Sequence, residues 1–330
     1  TMNIIEIAKL AGVSKSTVSR YLNDGYVSEE ASEKIKEVIE QTGFVPRRQA
    51  QAMRSQKTNL IGIIVPKIST ETAARVIEGI TNELSNAGYE VLIGNTGQSI
   101  EKEFDYLKVF KNQVDGIIFM ATEITPKHYE LFEQLHIPIV VVAQKVKDYP
   151  CIVHDDYHAS KDAINYLIDK GHRSIGFIGV GEYDVAVGVE RKKGYLDALE
   201  EQKIEVQSEY IQIGDFSHES GFNLTKHLMS LPKPPSAIFA VTDNLAIGCM
   251  EYLKENGYKI PDDVAVMGLG DIKIAAYMTP GLTTVHYHFQ TMGAKSANLL
   301  MQLIQSGKES SKNYESNFIF NYRLIERDSV

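Results

Sequence analysis

Residues 7–23 read IAKLAGVSKSTVSRYLN, and this stretch decides how the amino-terminal part of the chain folds. Ile4, Ile7, Ala8 and Ala11 recur at helical spacing, with Asn3 placed to cap the run. Gly12-Val13 breaks the pattern. Ser14 can then cap a second helix that carries Val18 and Leu22 on one face. Asn23-Asp24-Gly25 is a turn signal. Ser28, followed by Glu29 and Glu30, opens a third helix, since acids in a first turn suit the positive end of the helix dipole. Ala31, Ile35, Val38, Ile39 and Thr42 line one side of it, and Gly43 closes it. Two short helices joined by a glycine turn make a helix-turn-helix unit. The second helix turns Lys15, Ser16, Thr17, Ser19 and Arg20 away from Val18 and Leu22. Those side chains are of the kinds that reach base edges and phosphates. The bland reading of the same pattern is a solvated helix on a small bundle.

Charge supports the nucleic-acid reading for this part of the chain only. The 330 residues carry a net charge of −9, which argues against a uniformly basic binder. The distribution is uneven: residues 1–58 hold nine Lys/Arg and seven Asp/Glu, whereas the remainder holds 25 and 36. From Phe44 to Thr58 there are four basic residues and no acid. A basic head on an acidic body implies that the head alone meets a polyanion. With 43% hydrophobic and 23% charged residues, the chain has an ordinary globular composition, long enough for two domains and a small extra piece. No apolar run approaches the roughly 18 residues of a membrane span; Ile61–Val65 and Ile137–Ala143 are strand-length. The first residues lack the basic and apolar regions of a signal peptide, so the expected location is the cytoplasm. Two cysteines, Cys151 and Cys249, make neither a disulfide framework nor a four-thiolate metal site.

Beyond residue 58, strand and helix patterns alternate. Leu60–Val65, Glu90–Ile93, Gly116–Met120, Ile137–Ala143, Ile175–Ile178, Ala237–Ala240 and Val264–Gly268 are short apolar runs. Amphipathic stretches such as Ala73–Ala87, Lys102–Gln113 and Ser160–Lys170 lie between them. This alternation predicts an α/β fold of parallel sheets with helices on both faces. The length suffices for two lobes facing a cleft at the carboxyl ends of their strands. Signals for an enzyme are weak. His154-Asp155-Asp156 and His286-x-His288 have no third or fourth metal ligand at recognisable spacing. In GVGEYDVAVG, Asp184 stands where a dinucleotide fingerprint needs glycine, and neither a P-loop nor G-x-S-x-G occurs. No catalytic constellation, metal or cofactor is expected.

IAKLAGVSKSTVSRYLN, followed by VSEEASEKIKEVIEQTGFVP, strongly resembles the headpiece of the LacI/GalR family of bacterial repressors. The likeness runs on through Thr58-Asn59-Leu60-Ile61-Gly62-Ile63-Ile64-Val65-Pro66 and then covers essentially the whole chain. The resemblance implies an all-α helix-turn-helix headpiece (1–45), a hinge (46–58) and a periplasmic-binding-protein-like core (59–330) of two doubly wound parallel-sheet lobes. The lobes would be about 60–157 with 289–318, and about 158–288 with 319–330. It implies base readout by Lys15, Ser16 and Arg20, with Thr17 and Ser19 on phosphates. Composition alone makes PRRQAQAMRSQKT a flexible cationic tether. The resemblance makes it a helix formed on operator DNA that wedges an apolar side chain into a base step. Met53 stands at the wedge where the family usually has leucine. Gln51 replaces a family arginine, and Arg47 replaces a common asparagine; Arg54 completes this DNA-contacting set.

For the cleft, Arg191 in VERKKGYLDAL matches a family arginine that holds sugar hydroxyls. Read without the family, it is a surface ion pair with Glu190 or Asp197. Asp243 and Asn244 in AVTDNLAIG match the ligand-binding acid and its neighbour. Read alone, Asp243 caps the helix 244–256. In VMGLGD the family's first acid is Gly270, which leaves Asp271 as the candidate. Tyr287 in LTTVHYHF falls where many members have glutamine. Ser69 follows the first strand, and Gln144 replaces a frequent aspartate. Phe216, Tyr183 and Tyr277 read as core or rim aromatics.

The phrases PKISTETA and YPCIVHDDYHASKDAI look like repressors of the sucrose-operon type from Gram-positive bacteria. The implied function is a homodimeric repressor of a carbohydrate-utilisation operon, nucleoid-associated in the cytoplasm. It would leave a palindromic operator when a sugar or sugar phosphate enters the cleft. No leucine heptads follow the apparent last strand before Val330, so a dimer without a tetramerising tail is expected. One alternative is a global catabolite regulator that answers to a phosphorylated carrier protein. Another is a sugar-binding transport receptor, which would need a signal peptide and have no use for residues 3–58.

Overall fold

The computed structural model describes residues 3–22, 25–44, 57–307, 311–314 and 317–330, in two compact units that divide after Asn59. The hinge positions Arg47, Gln51, Met53 and Arg54 lie outside the described residues.

The first unit has helices α1 (Ile4–Leu10), α2 (Lys15–Tyr21) and α3 (Glu29–Thr42). Each begins on a side-chain cap. Asn3 accepts from Ile5 and Glu6 amides, and Glu6 returns a bond to the Asn3 amide. Ser14 caps α2 through the Thr17 amide, and Ser28 caps α3 through the Ala31 amide. Gly43 ends α3 in the left-handed region, at φ 61°. Ile7, Ala8, Ala11, Val18 and Ile35 are buried at the centre, with Leu22, Val38 and Ile39 packed around them. Those are the positions that the periodicity placed inward.

The second unit is built on parallel strands. Strands β1 (Leu60–Val65), β2 (Glu90–Asn95), β3 (Gly116–Met120), β4 (Ile139–Val142), β5 (Cys151–His154) and β11 (Asn317–Phe320) form one sheet in the order β11-β5-β4-β3-β1-β2. All its pairings are parallel. A second parallel sheet has the order β7-β6-β8-β9, from β6 (Ile175–Val180), β7 (Ile211–Gly214), β8 (Ala237–Ala240) and β9 (Ala265–Met267). Strand β10 (Thr284–Tyr287) bridges to the end of β9 at Met267 and Gly270, and pairs antiparallel with β12 (Tyr322–Ile325). The chain therefore completes the second sheet, returns to the first for β11, and crosses back for β12.

Helices cover the sheets: α4 (Glu71–Asn86), α5 (Ile100–Phe110), α6 (Pro126–Glu133), α7 (Asp156–Asp169), α8 (Arg191–Glu201), α9 (His218–Met229), α10 (Asp243–Glu255) and α11 (Phe289–Gln305). A π-helical turn, Val185–Glu190, runs directly into α8. Helices α4 and α11 touch backbone to backbone at two glycines. A Cβ on Gly79 would lie 1.9 Å from the Gln290 carbonyl oxygen, and one on Gly293 would lie 2.0 Å from that of Val76. Strands β1 and β3 to β6 are buried almost throughout, because helices screen both faces.

Candidate functional site

The carboxyl ends of the two sheets face one another across a cavity of about 420 Å³. Its walls are the residues that follow the strands: Ser69 after β1, Thr122 after β3, Gln144 after β4, Asp184 after β6, and Thr242 with Asp243 after β8. This is where open α/β sheets place ligands, since the loops there diverge and helix amino-termini point inward. The volume lies within the range of small-molecule sites, a few hundred to about 1,000 Å³.

Arg191 forms the floor. It is buried, and its Nε and Nη2 reach Asp156 Oδ1 at 2.8 and 2.6 Å. Its Nη1 donates to the Val241 carbonyl, and the guanidinium lies 5.2 Å above the Tyr287 ring. Tyr287 in turn donates its hydroxyl to Asp156 Oδ1 at 3.0 Å. The reading of Arg191 as a surface pair with Glu190 or Asp197 is corrected. Its partner is Asp156, brought from the start of α7, while Asp197 takes the Tyr157 hydroxyl. Burial raises the Asp156 carboxyl, and the adjoining guanidinium opposes that shift. The cation is thus neutralised in place, with a planar, fixed orientation.

Asp243 forms a second polar centre. The cap of α10 is Thr242, whose hydroxyl accepts from the Leu245 amide, so Asp243 is not the capping residue. Asp243 instead holds the loop after β9. Its Oδ2 accepts from the Ile272 amide at 2.9 Å and its Oδ1 from the Thr284 hydroxyl at 2.5 Å. Burial pushes its pKa up to about 6. The loop wraps this carboxylate closely: a Cβ on Gly268 would meet Oδ1 at 2.4 Å. Gly270, at φ 137°, passes Oδ2 without a side chain of its own.

Ser69, Gln144, Arg191, Asp243, Asn244 and Tyr287 all line the cavity, and Phe216 joins them. Asn244 is exposed and donates to the Phe216 carbonyl at 2.7 Å. Gln144 donates to Asp184 Oδ1 and to the Thr122 carbonyl, both at 2.9 Å. Asp271 stands apart. Its carboxylate turns to Arg327 Nη2 at 2.7 Å and His286 Nδ1 at 2.8 Å, and it does not line the cavity. Burial works against its charge, but those two partners outweigh burial and hold it below the usual carboxylate range. Tyr277 is an exposed surface residue away from the cavity.

Three lining residues were not singled out as ligand contacts from the sequence. Asp156 and Asp184 are buried acids, and His154 stacks on Tyr287 at 4.4 Å between centroids. Burial and the nearby Arg191 charge lower His154 to about 3, so the imidazole is neutral. His154 and Asp156 stood in the sequence as part of His154-Asp155-Asp156, and Asp184 as part of GVGEYDVAVG, but neither pattern pointed to a ligand contact. Among the described residues no three His, Cys, Asp or Glu side chains stand together so as to hold a metal ion.

Two contacts tie the rims of the cleft together. The Glu71 carboxylate accepts from the Lys273 amide at 2.9 and 3.0 Å, and Arg75 Nη1 donates to the Asp271 carbonyl at 3.1 Å. Helix α4 of the first sheet is thereby hooked to the loop that Asp243 holds.

In the first unit, Lys15, Ser16 and Arg20 are exposed on α2, and Thr17 and Ser19 are half-buried. The Ser16 and Thr17 hydroxyls each lie 2.7 Å from Ser14 Oγ, so both are engaged with the helix cap. Arg20 Nε reaches back to the Ser16 carbonyl at 3.4 Å. The surface of α2 is cationic, and no acid sits on it.

Comparison with known proteins gives both units relatives. Residues 3–47 match the model of bacterial regulatory proteins of the lacI family, and residues 164–330 match a periplasmic binding protein-like domain. The sucrose operon repressor of Staphylococcus xylosus is 35% identical over 305 residues, 92% of this chain and 94% of that protein. Catabolite control protein A of Priestia megaterium is 32% identical over 304 residues, 91% of each chain. A solved complex of the transcriptional regulator CelR with cellobiose superimposes over the whole of both chains, with a TM-score of 0.75 at 26% identity. Among the described residues no helix is long and apolar enough to cross a membrane. The capped helix-turn-helix, the paired parallel sheets and these full-length likenesses place the chain in the LacI family of bacterial regulatory proteins, which are DNA-binding transcription regulators and not enzymes.

Proposed function

We propose that this regulator represses a carbohydrate-utilisation operon and is released from its operator by a neutral sugar bound between the sheets. Its place of action is then the cytoplasm, on the nucleoid. One observation carries the choice of effector: the charge of the cavity wall. Glu71, Asp156, Asp184 and Asp243 line it against Lys67 and Arg191, and Arg191 is already paired with Asp156. A phosphate dianion would meet uncompensated carboxylates. A polyol offers these acceptors hydroxyl donors, and Tyr287 and Phe216 supply apolar faces for its C–H surfaces. The names of the relatives accord with this, one a sucrose operon repressor and one a complex with cellobiose.

The mechanism follows from the position of the wall. Arg191, Asp156 and Tyr287 orient hydroxyls from the second sheet, while Ser69 and Gln144 do so from the first. A ligand touching both sides favours one angle between the sheets, and it shifts the equilibrium only by its differential affinity for the two angles. On the DNA side, Lys15, Ser16 and Arg20 are assigned to base readout, and Thr17 and Ser19 to phosphates. The hinge residues Arg47, Gln51, Met53 and Arg54 are assigned to the minor groove. A twofold dimer would present two such headpieces to a palindrome.

Calorimetry on the full chain tests the effector class, using glucose, fructose, sucrose and cellobiose beside glucose 6-phosphate and fructose 1,6-bisphosphate. Heat from a neutral sugar supports the reading. Heat from the phosphates alone overturns it. The likeness to a catabolite control protein supplies the second reading, in which a phosphorylated carrier protein is the co-regulator. Retention of the full chain on that carrier, with no heat from any sugar, would favour it.

A further inference from the structure

A second, smaller chamber of about 140 Å³ adjoins the cavity. It is lined by Gln98, Ile100, Thr122, Glu123 and Tyr183, and Gln98 and Thr122 belong to both spaces. We infer that the cleft has two adjoining seats and takes a neutral disaccharide, its second ring held against Tyr183 and Glu123 in the outer chamber. This rests on the sugar-effector reading above and goes beyond it in naming the size of the ligand and the residues that select for it.

Three observations carry the inference. The first is shape: Gln98 and Thr122 line both spaces, so a ring seated in the outer chamber would lie beside the inner cavity. The second is how the Tyr183 ring is held. The side chain is 48% exposed, yet it is laid against the backbone of Gly181, where a Cβ would come 2.6 Å from Tyr183 Cε1. The next residue, Asp184, fixes the loop from below by accepting the Val187 amide at 3.0 Å and the Gln144 side chain at 2.9 Å. A supported, half-open aromatic ring is a surface for the apolar face of a pyranose or furanose. The third is polar chemistry opposite that ring. Among the described residues, the side chains of Glu123 and Gln98 make no hydrogen bond or ion pair, so both are free to take hydroxyls. The two walls come from different sheets: Tyr183 follows β6, whereas Gln98 and Glu123 follow β2 and β3. A second sugar ring there would bridge the cleft, as the inner seat does.

The test is calorimetry of the full chain, wild type and variants, with glucose and fructose against sucrose, cellobiose and maltose, and with glucose 6-phosphate and fructose 1,6-bisphosphate alongside. The expected result is one disaccharide binding at least about tenfold more tightly than either of its component sugars. Tyr183→Ala should weaken that disaccharide by about tenfold and move the component sugars by less than about twofold. Tyr183→Phe, which keeps the ring, should bind as the wild type does, and Glu123→Gln should lose disaccharide affinity selectively. An unchanged melting temperature in the variants confirms that they fold. The inference is overturned if a single-ring sugar binds as tightly as every disaccharide, if Tyr183→Ala leaves the disaccharide untouched, or if it weakens both ligand sizes alike. Heat from sugar phosphates alone would overturn the effector reading itself along with the inference. Those outcomes separate the two failures.

Discussion

Asp243 shows what a single buried charge does to this fold. Its pKa of about 6 in the folded protein stands above an ordinary 3.8, because burial penalises the carboxylate. Below pH 4 both the folded and the unfolded chain carry the proton at this site. Between about pH 4 and pH 6 the folded chain keeps it and the unfolded chain releases it, so stability falls as pH rises through that window. Above pH 6 the cost is constant. The shift corresponds to roughly 3 kcal/mol. Asp243→Asn removes the titration and keeps both contacts: the amide oxygen can accept from the Ile272 amide, and the amide NH₂ can donate to the Thr284 hydroxyl. Urea unfolding at pH 4, 5, 6 and 7 should show the wild type losing stability relative to this variant by about that amount. Parallel curves for the two proteins would show that Asp243 is not the titrating group.

Among the elements, helix α4 links the cleft to the rest of the molecule. It packs on α11 through Gly79 and Gly293, and its first turn holds the 271–273 loop through Glu71 and Arg75. Arg75→Ala removes one such bond at a partly buried site, worth about 1 kcal/mol. If the ligand prefers the angle that this contact holds, sugar affinity should fall several-fold in this variant with no change in the contacts of the inner wall. Calorimetry reads this directly, and identical affinity would remove the Arg75 contact from the coupling. The elements also show what the chain made legible. Strands β1 and β3 were readable because both faces are buried and the run is continuously apolar. Strands β7, β11 and β12 were not: they are four residues long, half exposed, and lie at a sheet edge or in a two-stranded pair. The headpiece helices were legible because Asn3, Ser14, Ser28 and Gly43 mark their ends locally. The partner of Arg191 was not. Asp156 lies 35 residues away and meets it only after α7 and α8 pack together. Tyr287 joins them from 131 residues beyond Asp156, at the end of β10.

At the scale of the whole molecule, the proposed function requires that a sugar bound in the second unit control operator binding by the first. The most direct test titrates the full chain into its own upstream DNA at fixed salt, with and without the sugars named above. Salt is held fixed because phosphate contacts make affinity steeply dependent on ionic strength. Arg20→Ala, on the exposed face of α2, serves as the control for sequence-specific contact. The account predicts tight binding by the wild type, loss of specificity in Arg20→Ala, and weakening by at least about tenfold on adding the sugar that calorimetry identifies. Operator binding that is indifferent to a sugar bound in the cleft would contradict it.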